Sequence, residues 1–427
     1  MTADVTTPAQ TTQRRRGPFA GLRQKWAPGP FTTEATALTI ITLILVVFGL
    51  VMSFSASFVD GARAGDPFAG FRRQLLWALV GIPVFALSAS LHHRIWRRLS
   101  WLLLIVSLAA LVLVLVPGIG LERFGATRWI GSEPFVVQPS EIAKLGLLLW
   151  LADVLERKRP RDGSLHQTKH LTIPALPMVV VMAVLVLLQP DLGTTILLAL
   201  IVGAVLWVEG LAGRWVALAL GGCATLVAGL AIVAPYRMAR IRGWLWPEQY
   251  PLDEGFQLLQ SWYALGSGGW FGMGLGSSRG KWDFIPNPET DFIFAIIGEE
   301  TGLVGSLAVL ALFSGILYFG LKTAYASPDL FGRTVALGVT AWIVGQALVN
   351  IGTVTGLLPI TGVTLPLLSA GGSSLVSTLV ALGILVSIAR RPQAAPRTAQ
   401  RRRPSALKAA VDQEKSAAAK KDHGGGS

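Results

Sequence analysis

Apolar residues run through this chain in blocks of about twenty, the length a helix needs to cross a bilayer core. Blocks at about 35–55, 74–91 and 99–116 are followed by a fourth that opens at Glu141 and closes before Arg157. The fifth covers about 171–188, the sixth closes at Glu209 and the seventh covers about 215–234. The eighth opens at Asp291 and runs to about 321, the ninth covers about 334–354, and the tenth closes at Ala389. The pattern predicts an all-α polytopic membrane protein of about ten helices over 35–389, with polar, basic, disordered tails at 1–34 and 390–427. The eighth block is long for one crossing, so part of it stands above the membrane or tilts. A glycine-, proline- and serine-rich stretch from Gly356 to Ser374 separates the last two blocks and reads as re-entrant.

Charge adds an orientation. The net charge of +13 would suit a nucleic-acid partner, but the basic residues sit in the tails and in alternate short loops, such as Arg94–Arg98 and Arg157–Arg161. That is the positive-inside distribution, so the tails are assigned to the cytoplasm and no nucleic acid is expected. The longest polar interruption, 235–290 between the seventh and eighth blocks, is then extracellular. The only cysteine, Cys223, permits no internal disulfide or metal cluster. His92 and His93 are adjacent and face different sides of a helix, so no metal site is expected there either.

Candidate chemistry gathers around the large loop. Asp291 follows Pro286, Pro288 and Thr290 at a helix start. There it either complements the helix dipole or serves as a general base at the outer surface, its pKa raised by aromatic burial. Arg237, Arg240 and Arg242 suit a phosphate or pyrophosphate, or else snorkel at the interface. Glu141 and Lys144, three apart, share a helix face near the apolar slab, as an ion pair or as functional groups. Glu299 and Glu300, between Gly298 and Gly302, are read as structural or supporting. The glycine-rich run 266–280 is no phosphate loop, because it lacks a Gly-Lys-Ser/Thr ending.

Five further stretches carry a resemblance. They are Thr127–Ile130, the run from Gln138 through Ser140 to Lys144, Gln189–Thr194, Pro288–Glu300, and Gly356–Val363 continuing to Ser369 and Gly371–Ser374. In this order they resemble the SEDS family of cell-wall polymerases, and most closely its division-type members from actinobacteria. The resemblance implies a SEDS-type fold and a peptidoglycan glycosyltransferase that polymerises lipid II by inversion. Asp291 would deprotonate the acceptor 4-hydroxyl, and undecaprenyl pyrophosphate would leave. It adds Arg128, Gln138, Ser140, Ser369, Gly371, Gly372 and Ser373 to Glu141, Lys144 and the loop arginines as substrate-binding or charge-stabilising residues. Lys144, the arginines or a divalent cation (Mg2+ or Mn2+) would meet the pyrophosphate charge; alternatively Glu141 and Lys144 orient Asp291.

The implied partners are lipid II, the lipid-linked glycan strand, a class B penicillin-binding protein of the FtsI type and divisome proteins of the FtsQ, FtsL and FtsB types. The implied location is the bacterial cell membrane, at the septum. A lipid II flippase and an elongation-type polymerase are the alternatives.

Overall fold

In the computed structural model the residues described are 29–123, 125–158, 168–215, 217–218, 221–222, 229, 235–286 and 288–390. The seventh block, Cys223 and the tails therefore lie almost wholly outside them. The helices are α1 (Thr33–Arg63), α2 (Ala69–Ser90), α3 (His93–Val114), α4 (Pro139–Arg157), α5 (Thr168–Leu187), α6 (Leu192–Val208), α7 (Pro235–Leu245), α8 (Phe256–Ser267), α9 (Ile293–Ala326), α10 (Leu330–Val354) and α11 (Gly372–Ala389). Six of these, α1, α2, α3, α9, α10 and α11, are long and apolar enough to cross a membrane. α5 and α6 have shorter apolar stretches. α4 carries Glu141, Lys144, Asp153 and Glu156, which dilute its hydropathy, yet most of its residues are buried.

α10 and α11 form the centre. Their apolar windows are 83% and 72% buried, against 28–39% for α1, α2, α3 and α9, whose outer faces present leucine, valine and isoleucine to lipid. α2 packs along α11, α3 along α4, and α10 against α4, α6 and α9. The helices are thus arranged as a ring around a core whose inner members carry the polar residues.

Three elements go beyond what the sequence pattern outlines. First, the stretch between the third and fourth blocks is no plain loop: β1 (Leu121–Arg123), β2 (Ala126–Ser132) and β3 (Phe135–Val137) form an antiparallel sheet in the order β1-β2-β3. β1 and β3 have only three residues, too short to show a period of two, and the seven residues of β2 include Gly131 and do not alternate apolar with polar.

Second, the eighth span is two helices. Gly302 has φ 68° and ψ −165°, which breaks α9 into a buried segment, 293–301, and a crossing segment, 303–326. The crossing segment is about 36 Å long, enough for the bilayer. The break is closed by the glycine-rich run: Leu303 N donates to Gly269 O at 2.9 Å and Val304 N to Trp270 O at 3.1 Å, while Met273 N donates to Glu299 O at 2.9 Å. A Cβ on Gly302 would lie 2.4 Å from Gly272 N, so the close approach requires glycine.

Third, the stretch after α10 descends into the protein. Thr364 O accepts from Gln346 Nε2 at 3.0 Å, and Gln346 lies two turns below the outer end of α10, a depth of about 12 Å. Irregular backbone at that depth has to be satisfied by protein. Asn350 Nδ2 donates to Val363 O at 2.7 Å, Gln74 Nε2 donates to Ser369 O at 3.3 Å, and Gly371 N donates to Gln74 Oε1 at 3.3 Å.

Candidate functional site

At one end of the bundle the starts of α2, α4 and α6, the end of α10, the sheet, the re-entrant stretch and the segment before α9 surround a polar cavity of about 490 Å³. That is room for a sugar-phosphate headgroup. Its carboxylates are Asp291, Glu289, Asp191, Glu141 and Glu133, and its cations are Arg73, Arg128 and Arg240.

Asp291 sits half-buried at the cavity wall, and its backbone carbonyl accepts from Asn350 Nδ2 at 2.7 Å. Burial pushes its pKa above the usual aspartate value. The hydrogen bond from Thr290 Oγ1 at 2.9 Å, its own backbone N–H and the charge of Arg240 oppose that rise without cancelling it. Asp191 is held differently. It N-caps α6, accepting from Thr194 N at 3.0 Å, Thr194 Oγ1 at 2.8 Å and Gln138 Nε2 at 3.2 Å, with Arg128 Nη1 at 3.9 Å. These three hydrogen bonds fix the Asp191 side chain in place, whereas the Asp291 side chain accepts from Thr290 Oγ1. Glu289, two residues before it, also has its pKa raised by burial and lies 3.5 Å from Arg73.

Lys144 is fully buried and does not line the cavity. Its Nζ donates to Glu141 Oε1 at 2.9 Å and Gln346 Oε1 at 2.8 Å, and lies 4.8 Å from the centre of the Trp342 ring. Glu141 and Gln346 reach the cavity; Lys144 fixes them from behind. Because Gln346 and Asn350 are one turn apart on α10, the chain Glu141–Lys144–Gln346–Thr364 runs beside Asn350–Asp291. Glu141 lines the cavity, whereas Lys144 lies behind its floor.

The remaining predicted residues divide. Arg128 lines the cavity and is fixed by the carbonyls of Gln189, at 3.0 Å, and Pro190. Gln138 N donates to Ser373 Oγ at 3.1 Å, and Gln138 Nε2 donates to Ser140 Oγ at 3.0 Å. Gly371, Gly372 and Ser373 line the wall, where a Cβ on Gly372 would strike the Trp77 indole at 2.1 Å. Ser369 lies behind the wall, accepting from Leu365 N at 2.7 Å. Of the loop arginines, Arg240 reaches the cavity and Arg242 is exposed away from it; the Arg237 side chain lies outside the described residues.

Glu299 and Glu300 are buried at the far end of the 293–301 helix. Glu299 accepts from Ser278 Oγ, from Arg279 N at 2.8 Å and from Gly280 N at 3.2 Å; Glu300 accepts from Ser55 Oγ at 2.6 Å, with Lys281 Nζ at 3.5 Å. They pin the glycine-rich run to α1 and α9.

Residues to which the sequence pattern gives no role are Arg73, Gln74, Gln346, Asn350 and, within the Gln189–Thr194 stretch, Asp191. An arginine at a span edge and amides in an apolar block reveal no partner until distant segments meet.

Among the described residues no three His, Cys, Asp or Glu side chains converge as a metal site.

With this geometry in view, the chain's likeness to known proteins has a physical basis. Residues 35–394 match the FtsW/RodA/SpoVE family, described as cell cycle proteins. The chain is 42% identical over 365 residues to Stage V sporulation protein E of Bacillus subtilis, covering 84% of this chain and 99% of that one. It is 41% identical over 366 residues to the "Probable peptidoglycan glycosyltransferase FtsW" of Mycobacterium tuberculosis, covering 86% and 69% respectively. Its fold is similar to a chain from the structure "Structural coordination of polymerization and crosslinking by a peptidoglycan synthase complex", with TM-score 0.67 and 34% identity over 83% of this chain and 96% of that one. It is also similar to the rod shape determining protein RodA of Thermus thermophilus, with TM-score 0.62 and 32% identity over 84% of this chain and 97% of that one. Matched along nearly all of its membrane domain by sequence and by fold, the chain belongs to the FtsW/RodA/SpoVE (SEDS) family.

Proposed function

We propose that this membrane protein is a peptidoglycan glycosyltransferase that polymerises lipid II, with Asp291 as general base. The observation that carries the reading is Asp291, a carboxylate free of any ion pair among the described residues and with a raised pKa, on the wall of a cavity that also presents Arg73, Arg128 and Arg240; Glu289, the other cavity carboxylate with a raised pKa, is held by Arg73 at 3.5 Å.

The chemistry needs little more. The acceptor 4-hydroxyl gives its proton to Asp291 as its oxygen bonds to the anomeric carbon of the lipid-linked strand. The bond from that carbon to the pyrophosphate oxygen breaks, so the configuration inverts. A sugar alkoxide would need a second carboxylic acid to leave, but pyrophosphate leaves as a stable anion and needs cations instead. Arg73, Arg128 and Arg240 line the same cavity and supply that positive charge. Glu141, Lys144, Gln346 and Asn350 position the wall that carries Asp291. No step requires a resident metal.

Translocation of lipid II would need a polar path through the slab. Beneath Lys144 and Gln346, α4 and α10 instead meet through fully buried Leu147, Leu148, Leu151, Val339 and Ile343. That packing favours polymerisation. The division-type relatives support a septal role, with a class B penicillin-binding protein and other divisome proteins as partners and both tails in the cytoplasm. The test is to give the purified protein and its cognate transpeptidase lipid II, in detergent and in sealed vesicles. Glycan strands in detergent support the reading. Transfer of lipid II between leaflets without polymer would refute it.

A further inference from the structure

At the end of the bundle away from the cavity, the start of α3 and the end of α4 enclose a cleft of about 410 Å³ lined by Arg94, Arg97, Arg98 and Arg157. Four guanidiniums would repel one another if held without counter-charge. Asp153, fully buried, organises two of them: Oδ1 accepts from Arg97 Nε at 2.8 Å, and Oδ2 accepts from Arg157 Nε at 2.6 Å and from Trp101 Nε1 at 3.1 Å. Glu156 accepts from Arg97 Nη1 at 3.3 Å and from Phe331 N at 2.9 Å. Asp329 faces Arg94 from the start of α10. Positive charge remains in excess.

This differs from arginines that snorkel singly into headgroups. One buried carboxylate fixes two guanidiniums side by side. It grips each through Nε, and Arg157 through Nε alone, which leaves that residue's terminal nitrogens for a bidentate anion. Below the cleft, on the bilayer face of α3, Trp101, Leu102 and Ile105 are 45%, 56% and 59% exposed. They offer an acyl chain a track directly under the charge.

We infer that this cleft binds the phosphate headgroup of an anionic phospholipid, with the acyl chains along Trp101, Leu102 and Ile105. Basic pockets between membrane helices on the positively charged face suit such headgroups. The occupant is a lipid rather than a soluble phosphate because charge and exposed apolar track are contiguous.

The test is native mass spectrometry of the full-length protein with equal amounts of diphosphatidylglycerol and phosphatidylcholine. Wild type is expected to retain diphosphatidylglycerol selectively, and Arg97→Gln/Arg157→Gln to lose roughly tenfold in occupancy. Removing two basic residues outside the cleft, Lys158→Gln/Arg214→Gln, is expected to change it less than about twofold. Thermal unfolding in phosphatidylcholine shows whether the double variant is folded; if it is not, Arg157→Gln alone decides, with a loss of about threefold expected. Equal losses in the cleft and control variants would overturn the proposal, as would no lipid preference. So would displacement of the lipid by millimolar inorganic phosphate, which would make the cleft a soluble-anion site.

Discussion

Asp291 owes its chemistry to where the backbone puts it. Its pKa is raised chiefly by burial, so it becomes a competent base at a higher pH than an exposed aspartate. The acid limb of kcat/KM for polymerisation should therefore lie above the ordinary aspartate range, because the reaction needs the ionised form. Arg240 favours that ionised form. Arg240→Gln should move the limb to higher pH, by up to about one unit for a partly screened charge. A pH profile of lipid II polymerisation checks both statements.

The same shift has a stability consequence. A carboxylate whose folded pKa exceeds its unfolded one is more protonated in the folded state between the two values. Stability then falls as pH rises through that window. Asp291→Asn escapes the penalty. Its unfolding midpoint should equal wild type below about pH 4 and match or exceed it at neutral pH. Thermal unfolding at both pH values measures this.

At the scale of elements, two features decide whether the cavity exists. The first is the break in α9. Gly302→Ala would place a side chain on a residue with φ 68°, against backbone atoms of Trp270 and Gly272. It should destabilise by about 2 kcal/mol or more, and polymerisation should fall with it. The second is the joint between α4 and α10. Lys144→Met leaves Glu141 buried without its cation, and Glu141 Oε2 already has no hydrogen-bond partner. The expected loss is about 3–5 kcal/mol, part of which Glu141→Gln/Lys144→Met should recover. Chemical denaturation of the three variants separates the buried charge from simple loss of packing.

Across the whole molecule, what could be read from sequence was whatever is local in the chain. The helical blocks follow from twenty-residue apolar runs, and Glu141 with Lys144 from a spacing of three. The re-entrant stretch followed from glycine and proline at a depth where only a satisfied backbone is tolerated. Gly302 was hidden because a glycine inside an apolar run looks like a helix-packing residue; only its contact with Gly272, thirty positions earlier, shows the break. Asp191 looked like part of a turn, and Arg73 like a span boundary. Their place in the cavity depends on distant segments meeting, which no local period encodes. Lys144 was legible as a buried charge but not as one turned away from the cavity, because its orientation depends on Gln346.

The central claim is that Asp291 removes the acceptor proton in an enclosed polar cavity. The most direct measurement is lipid II polymerisation by the protein with its cognate transpeptidase, wild type against Asp291→Asn, alongside lipid II binding and unfolding midpoint. The account predicts a folded variant that still binds lipid II and polymerises it at least about 10²-fold more slowly. A folded Asp291→Asn protein that makes glycan strands at the wild-type rate would contradict it.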